Sequence, residues 1–410
     1  MKIIDDLKSL NREQRATFIA SLLGWTLDAF DYFLMVFAVV SIAATFKVPK
    51  VEVVFAITLT LMCRPFGALV FGRLADHFGR RPILMTNILL FSFFAVASAF
   101  APNLIIFLIL RGLFGFAMGG EWGIGASLVM ESIPVTSRGT ISGILQQGYP
   151  LGYLLASVFY GLFFDYVGWR GLFLFSVLPA LLVVYIRRGV KESPVWQAQR
   201  VSARQTSIVA TFARHWKISI YVILLMAGFN WFSHGTQDLH PTFLQSQHKL
   251  SPHIVSAIAI TANIGAIIGG ITFGVWSQRI GRRKAIIIGV LMSLPVIPLW
   301  AFAATPFWLA AGAFLLQIAV QGAWGVIPAH LNELSPRDVR ATFPGFTYQF
   351  GNFLAAPCAV VQAEIARTHN GHYSVALASV TFVAAFVILL LAICGREARE
   401  ADFGHSAETI

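Results

Sequence analysis

Charged side chains are scarce in this chain: Asp, Glu, Lys and Arg make up 12% of its 410 residues. Soluble domains carry about 25%, so the composition excludes a chain built mainly of water-exposed globular domains. Cysteine is rare as well, and Cys63, Cys358 and Cys394 lie singly in apolar segments, where we expect inert packing residues. The first 16 residues show no signal-peptide pattern, so no cleaved leader is expected.

Apolar sequence is abundant. Hydrophobic residues make up 57% of the chain, Phe occurs 36 times, and the mean hydropathy is +0.72. Apolar runs of about 20 residues, the length of a membrane-spanning helix, recur throughout, and a helix satisfies every backbone polar group within its own segment. The sequence predicts an all-α integral membrane protein with twelve transmembrane helices, at 17–44, 53–72, 83–101, 104–131, 139–163, 170–188, 216–244, 253–274, 285–303, 306–330, 340–366 and 373–394.

The distribution of basic residues predicts the orientation in the membrane. If both termini are cytoplasmic, 23 of the 30 Lys and Arg residues lie on the cytoplasmic side. Arg64 and Arg111 fall within predicted spans, and five lie in outer loops: Lys47, Lys50, Arg170, Lys249 and Arg367. The asymmetry follows the positive-inside rule and predicts a multi-pass protein of the plasma membrane, or of the inner membrane in a bacterium. The net charge of +11 then reflects topology and contact with the lipid bilayer, and no nucleic-acid partner is expected.

The two halves of the sequence repeat at a constant offset of 202 residues. GRLADHFGRR at 72–81 reappears as GVWSQRIGRR at 274–283. Six further residues recur as identical residues 202 positions later: Glu131, Pro134, Arg138, Thr140, Gly143 and Gln147. Duplicated six-helix halves are typical of transporters that bind substrate between the halves near mid-membrane. The predicted parts are a cytoplasmic N-terminal segment (1–16), an N-terminal six-helix bundle (17–188), a cytoplasmic linker (189–215), a C-terminal six-helix bundle (216–394) and a cytoplasmic tail (395–410).

The predicted seventh span contains the polar sequence NWFSHGTQDLHPT. Asn230, His234 and Asp238 are spaced four residues apart, so on a helix they share one face. Ionisable groups in a membrane helix are costly unless they face a wet cavity or a partner, which makes them candidate functional residues. The offset of 202 places Asp28 and Tyr32 of the first span at the positions of Asn230 and His234. We therefore expect two polar stripes that face each other across a central cavity.

Several motifs resemble those of the major facilitator superfamily. GRLADHFGRRP is similar to the signature loop between helices 2 and 3 of that family, and 274–284 is similar to its second-half copy. Arg111-Gly112 followed by Gly115 resembles the helix-4 motif, and Glu192-Ser193-Pro194 resembles the tail after helix 6. The resemblance covers nearly the whole chain. It implies the family's fold, two pseudo-symmetric six-helix bundles that expose a central site to each side of the membrane in turn.

A narrower resemblance concerns the seventh span. Its pattern Asn230-x-x-Ser233-His234-x-Thr236-Gln237-Asp238-x-x-x-Thr242 is similar, at every specified position, to the helix-7 signature of proton-coupled lactate and pyruvate transporters of the sialate:proton symporter group. In that branch the Asn, His and Asp are implicated in substrate binding and proton coupling. A helix-2 arginine is implicated too, and Arg64 stands at its place. Gln349 matches a helix-11 glutamine of the branch.

The candidate substrate-binding residues are Arg64, Asn230, Gln349, Tyr32 and Gln147. A guanidinium can grip a carboxylate with two parallel hydrogen bonds, so we expect Arg64 to anchor the substrate. The alternative for Arg64 is a structural ion pair with Asp28, Asp31 or Glu121. For the amides and Tyr32 the alternative is hydrogen bonding between helices.

The candidate proton-coupling residues are His234, Asp238, Asp28, Asp31 and Glu121. An apolar cavity favours the neutral form of a carboxyl and a nearby cation favours the charged form, while histidine titrates in the same range. For His234 the alternative is a histidine that packs between helices, and for Asp238 it is an aspartate at the outer helix end. For Glu121, in GGEWGIG, the alternative is a structural bond. We expect no metal site, because His234, Asp238 and His240 have no further ligands to close one.

Charged residues near the predicted cytoplasmic helix ends are expected to form the ion pairs of an inner gate: Asp76, Arg80, Glu131, Arg138, Glu333 and Arg340. Glu131 precedes Arg138 by seven residues, and Glu333 precedes Arg340 by the same distance in the second half. The glycine pairs Gly148/Gly152 and Gly265/Gly269 are interpreted as helix-packing positions rather than phosphate loops.

These residues together predict a secondary active transporter that imports a small monocarboxylate, lactate or pyruvate, with protons, by rocking of its two halves as a monomer. The proton gradient drives it and no cofactor is expected; one proton cancels the charge of a monoanion entering a negative interior. The alternative is a symporter of sialic acid or another larger organic acid, which the short loops disfavour. An enzyme would need a convergent nucleophile or metal set and a receptor would need a signalling domain, and the sequence suggests neither.

Overall fold

The structure is a computed structural model that describes residues 8–132, 141, 144–193, 196–197, 214–334 and 343–397. Its regular elements are all helical over those residues, which confirms the predicted all-α class. In chain order the helices are α1 (Arg12–Phe46), α2 (Lys50–Phe78), α3 (Arg80–Ala99), α4 (Leu104–Ser132), α5 (Gly148–Leu174), α6 (Leu178–Gly189), α7 (Trp216–Gln237), α8 (His240–Ser246), α9 (Pro252–Ile280), α10 (Arg282–Ser293), α11 (Val296–Phe302), α12 (Pro306–Leu334), α13 (Phe343–Ala355), α14 (Cys358–Thr368) and α15 (Tyr373–Cys394).

Within the described ranges, nine helices are long and apolar enough to cross a membrane. The number is ten when α10 and α11, which are bent by 43° at a short break, are counted as one span. Twelve spans were predicted, and the difference lies in two places. The predicted fifth and sixth spans run together as one helical stretch, Ile144–Gly189, and the predicted eleventh span is divided into α13 and α14.

Glycine and proline explain both features. Gly168 interrupts the helical conformation inside α5 with φ 62° and ψ −173°, a backbone conformation that glycine adopts without the steric penalty of a β-carbon. The stretch of 46 residues is thus long enough for two spans and is broken where they meet. Pro357 stands immediately before α14, and its missing N–H removes a hydrogen bond that a continuous helix would need. Apart from the fifth and sixth, which share one stretch, each predicted segment corresponds over its described residues to one helix or to one interrupted helix.

The sequence repeat is also visible in the backbone. Gly79 and Gly281, which are 202 residues apart, have φ of 107° and 98° and ψ of 155° and 156°. The two arginines after each glycine start the next helix, and their backbone N–H groups donate to one carboxylate, that of Glu192 in the first half and that of Glu397 in the second. A positive φ favours glycine, and a carboxylate stabilises the orphan N–H groups of a helix start. This geometry explains why Gly-Arg-Arg recurs.

The outward surface of the bundle is apolar and its interior holds the ionisable groups. Large apolar side chains are widely exposed, including Phe93 (63%), Ile105 (69%) and Val383 (59%). Asp28 and Asp31 are fully buried by contrast. Such an inverted distribution suits a molecule whose outer surface meets lipid and whose polar groups face neighbouring helices.

Contacts between the two halves position the site. α5 packs against α9, α2 against α13 and α14, and α1 against α8. At one such contact the Ser256 hydroxyl of α9 donates to the carbonyl of Ser157 in α5, at 2.5 Å. The two halves proposed from the repeat remain a prediction as domains, and most of the predicted linker (189–215) and tail (395–410) lies outside the described residues.

Candidate functional site

The polar stripe of the seventh span lies on α7 and is buried along its length. Asn230, His234 and Asp238 are 2%, 4% and 0% exposed. α7 ends at Gln237, yet the backbone N–H of Asp238 still donates to the carbonyl of His234 at 2.9 Å, so the one-turn spacing holds through Asp238. The helical conformation is interrupted at Leu239. Pro241 lies in the first turn of α8, where a helix tolerates proline. Asp238 is therefore a helix-end residue that is buried.

The stripe of α7 meets α1 through Tyr32. The Tyr32 hydroxyl donates to Oδ2 of Asp238 at 3.0 Å and lies 3.3 Å from Nδ1 of His234. Nδ1 of His234 is in turn 3.1 Å from Oδ2 of Asp238. The three side chains thus form one buried cluster across the two halves. The repeat aligned Tyr32 with His234, and the structure brings these two symmetry-related positions into contact.

Arg64 lies in the middle of α2 and is 1% exposed. Its guanidinium carbon is 5.9 Å from the ring centroid of Trp25 in α1, and Trp25 stacks on Tyr149 of α5 with 5.6 Å between centroids. Among the described residues, Nε and one terminal nitrogen of Arg64 have no hydrogen-bond partner. A guanidinium with donors to spare can still accept a carboxylate in the paired geometry that arginine favours.

Arg64 belongs to a buried group of five ionisable side chains. Its members are Asp28, Asp31, Arg64, Arg111 and Glu121, each at most 1% exposed. Asp28 interacts electrostatically with the other four, and the carboxyl oxygens of Asp28 and Glu121 lack a hydrogen-bond partner among the described residues. With every member charged the group has three negative and two positive charges. An unbalanced buried charge is strongly unfavourable, so one protonated carboxyl gives the arrangement that balances.

Glycines bring the helices of this group close together. A β-carbon on Gly24 of α1 would lie 2.5 Å from Oε1 of Glu121, and one on Gly119 would lie 1.9 Å from the carbonyl oxygen of Arg64. The pairs interpreted as packing positions are equally tight: a β-carbon on Gly152 would lie 2.3 Å from the Thr26 carbonyl oxygen. These contacts show that α1, α2, α4 and α5 meet at backbone distance around the buried charges.

Tyr32 and Tyr149 connect the arginine group with the α7 cluster. Each interacts electrostatically with both Arg64 and Asp238. The ring of Tyr149 also packs edge-on against Phe33, at 5.1 Å between centroids. The predicted anchor and the predicted coupling residues therefore belong to one continuous buried region that spans both halves.

The three predicted amides occupy different environments. Asn230 donates to the carbonyl of Met226 in its own helix at 2.9 Å. Gln349 of α13 donates to the carbonyl of Gly119 in α4 at 3.4 Å and so links the two halves. The side-chain amide of Gln147 lies against Gly270 of α9, where a β-carbon would be 3.1 Å from its nitrogen. Two of the three thus make contacts between the halves.

Other polar residues of the α7 signature bond α7 to α12. Gln237 donates to Oε1 of Gln317 at 3.1 Å, and Gln317 donates to the hydroxyl of Thr236 at 3.1 Å. Gln321 donates to the Ser233 hydroxyl at 3.4 Å. These partners were not predicted, because nothing in the spacing of α7 indicates which neighbouring helix it meets. The signature therefore contains positions for packing as well as positions that face the other half.

Trp25 and Tyr149 are the site residues that the sequence did not suggest. Trp25 also lies 6.5 Å from Trp122, and Trp122 lies 5.2 Å from Tyr348 in the second half, between ring centroids. An aromatic layer thus runs from one half to the other beside Arg64. Aromatic residues are common in this chain, so their number gave no signal. The available signal was position: Tyr149 follows Gln147 by two residues, and Trp25 precedes Asp28 by three.

The predicted gate residues are partly described. The side chain of Glu333 forms a paired salt bridge with Arg282, at 2.9 Å, within the second half. The backbone N–H of Arg80 donates to the carboxylate of Glu192 at 3.0 Å. The side chains of Asp76 and Glu131, and the whole of Arg138 and Arg340, lie outside the described residues. The inner gate remains a prediction, to which Arg282 is added as a partner of Glu333.

No group of three or more His, Cys, Asp or Glu side chains able to hold a metal ion occurs in the described part of the chain. The three cysteines are free.

Comparison with known families identifies this fold. Residues 20–239, more than half of the chain, match the family model described as Major Facilitator Superfamily. The chain belongs to the major facilitator superfamily. Residues 206–396 match a second model of transporters, Sugar (and other) transporter. The fold agrees: the chain aligns with the xylose transporter XylE from E. coli at a TM-score of 0.74 and 17% identity, over 93% of this chain and 97% of that one.

Two relatives extend the match to most of the length of this major facilitator protein. It is 30% identical, over 88% of its own residues, to the carboxylic acid transporter protein homolog of Saccharomyces cerevisiae, of whose length it spans 63%. It is 27% identical to the sialic acid transporter NanX of Escherichia coli, over 95% of each chain. These matches confirm a multi-pass membrane transporter and not an enzyme, and they confirm the predicted major facilitator fold.

Proposed function

We propose that this transporter carries a small monocarboxylate, with lactate and pyruvate as the first candidates, together with a proton. The observation that carries the proposal is the buried guanidinium of Arg64, which keeps unused donors beside an aromatic wall formed by Trp25 and Tyr149. A carboxylate is the ligand that such a fork binds most specifically. The relatives named for carboxylic acid and sialic acid support the same chemical class.

The proton requirement follows from the charges of the site. With one of its three carboxyls protonated the arginine group is balanced, so an arriving carboxylate adds one negative charge that needs compensation. A proton taken up on the Tyr32–His234–Asp238 cluster or on an acid of the arginine group supplies it. Charge balance within a buried site therefore couples binding of the anion to binding of a proton.

Coupling to a proton makes entry of the monoanion electroneutral. A monoanion that enters a cell with a negative interior works against about 2.3 kcal/mol per 100 mV. One accompanying proton removes that term, and an inward proton gradient then drives uptake. No cofactor takes part in this scheme, and one chain contains every residue it uses.

The aromatic packing beside Arg64 favours a small acid over a large one as the substrate. Trp25 and Tyr149 pack beside the arginine. Phe33 packs against Tyr149 and is stacked on Tyr153 at 4.0 Å. This dense aromatic packing suits a carboxylate with a short apolar tail. Symport of sialic acid or another larger organic acid is the second candidate, because the match to the sialic acid transporter covers 95% of both chains.

The deciding experiment is uptake of labelled lactate into proteoliposomes with and without an inward proton gradient. We expect the gradient to accelerate uptake and to drive accumulation, and Arg64→Ala to reduce uptake by about a hundredfold or more. Uptake that ignores the gradient would disprove the coupling. A panel of unlabelled acids in the same assay, from acetate to sialic acid, then identifies the preferred substrate by competition.

The proposed setting is the plasma membrane, or the inner membrane in a bacterium, with both termini in the cytoplasm as the basic residues predict. In this orientation the Tyr32–Asp238 contact lies in the half of the membrane nearer the outside. Cysteine labelling from each side, on a variant without the three native cysteines, tests the orientation.

A further inference from the structure

A cavity of about 380 Å³ opens at the predicted outer end of the molecule, between its two halves. Lys50 at the start of α2 lines it from the first half, and Ser246, Arg367 and Tyr373 line it from the second. Its volume falls within the range of sites for small molecules. It is separate from the buried residues around Arg64.

Lys50 is the central cation of this cavity. Its ammonium group donates to the Ser246 hydroxyl at 2.7 Å and lies 6.0 Å from the ring centroid of Tyr373. The side chain is half-buried, and among the described residues it has no carboxylate partner. Lys249 interacts with it electrostatically and repels it. Arg367, by contrast, is paired with Glu364 at 2.5 Å.

The charge around the cavity is therefore positive and incompletely balanced. Lys50, Lys249 and Arg367 are three of the five basic residues that the topology assigns to the outer side, and they gather at one opening. Clefts lined by one sign of charge raise the local concentration of ions of the opposite sign. An ammonium that is partly removed from water has all the more to gain from an anion.

We propose that this cavity is an outer capture site for the carboxylate substrate, with Lys50 as its binding residue. This inference rests on the proposed function for the identity of the anion. An arriving carboxylate takes the place of the Ser246 hydroxyl at the ammonium group of Lys50. Because Lys50 and Ser246 belong to different halves, the exchange also removes one hydrogen bond that holds the outer ends together. Capture and loosening of the outer closure are thus one event.

The test is the concentration dependence of labelled lactate uptake in cells, where the outer face meets the medium. For Lys50→Gln we expect KM to rise roughly three- to tenfold with the maximal rate kept within about twofold, since steering acts on encounter. Lys50→Arg keeps the charge and should retain the wild-type KM. Added salt should raise KM in the wild type more than in Lys50→Gln, because screening weakens the attraction.

Lys47→Gln is the matched control. Lys47 is an exposed outer lysine three residues away that does not line the cavity, so its loss changes net charge equally and should leave KM unchanged. Equal effects of the two substitutions, or a wild-type KM and salt dependence in Lys50→Gln, would overturn the capture site. A fall in maximal rate alone would also overturn it, since that result indicates a structural contact.

A binding measurement separates this inference from the proposed function. In Arg64→Gln, which lacks the central anchor, lactate should still raise the melting temperature of the purified protein at constant ionic strength. Adding Lys50→Gln should remove that effect, while adding Lys47→Gln should not. Absence of lactate stabilisation in Arg64→Gln contradicts the capture site, whereas failure of proton-driven uptake in the wild type contradicts the proposed function and leaves this binding result to stand.

Discussion

The hydroxyl of Tyr32 donates a hydrogen bond to Oδ2 of Asp238 at 3.0 Å, and it does so across the boundary between the two halves of the chain. Both side chains are almost fully buried. A hydrogen bond to a charged group contributes about 1.5–3 kcal/mol, so this contact favours the arrangement in which the predicted outer parts of α1 and α7 are together. A proton on Asp238 would neutralise the carboxylate to which the Tyr32 hydroxyl donates and would therefore weaken this contact between the halves.

Tyr32→Phe should shift the pH dependence of uptake. The hydroxyl donates to the carboxylate of Asp238 and joins α1 to α7, so its removal should change how uptake responds to pH if this contact takes part in the coupling. Initial rates of lactate uptake between pH 5 and 8 measure the shift. Tyr160→Phe is the control, because Tyr160 is equally buried and stacks on Phe37 away from Asp238. An unchanged midpoint in Tyr32→Phe would remove this contact from the coupling.

Arg64→Ala should reduce the rate of uptake at low substrate concentration by about a hundredfold or more, since loss of a paired, charge-assisted interaction in a buried site costs about 3 kcal/mol. Arg64→Lys keeps the charge but not the planar fork, and we expect a rise in KM of about tenfold. Size-exclusion chromatography and melting temperature establish that both variants fold. A wild-type KM in folded Arg64→Ala would show that the anchor lies elsewhere.

Asp238→Asn and Glu121→Gln should differ in a test that separates exchange from accumulation. If Asp238 carries the coupled proton, Asp238→Asn still exchanges labelled for unlabelled lactate at equal concentrations but no longer accumulates it under a proton gradient. Glu121→Gln removes one acid from a group that has one too many, so it should keep both activities. The reverse outcome assigns the coupled proton to the arginine group.

Gly67→Ala should destabilise the first half. A β-carbon on Gly67 of α2 would lie 1.7 Å from the carbonyl oxygen of Phe116 in α4, whereas one on Gly72 of the same helix would meet nothing within 4 Å. Overpacking of this kind costs about 1–3 kcal/mol. The melting temperature of purified protein should therefore fall for Gly67→Ala and stay unchanged for Gly72→Ala. Equal stability of the two variants would mean that the helices are less closely packed than this contact requires.

Local features of the chain made much of the fold predictable. Hydropathy located the helices, the offset of 202 located the repeat, and both were read without knowledge of any contact. The structure shows Gly79 and Gly281, which occupy equivalent positions in the repeat, in the same backbone conformation. The number of continuous spans was less predictable, because Gly168 and Pro357 divide or join helices through backbone geometry that hydropathy does not register.

By itself, the sequence determined that this is a helical membrane protein. It also predicted two repeated halves and placed a few polar residues, Arg64, His234 and Asp238 among them, within apolar spans. The physical reason is that a charged side chain in a membrane segment is unfavourable in free energy. Its presence there indicates a functional or structural role even when its partner is not known. Only the tertiary structure decided the partners. It put Tyr32 against Asp238, Trp25 beside Arg64 and Arg282 on Glu333. Such pairings depend on how helices distant in sequence approach one another, which the period of any single helix does not encode.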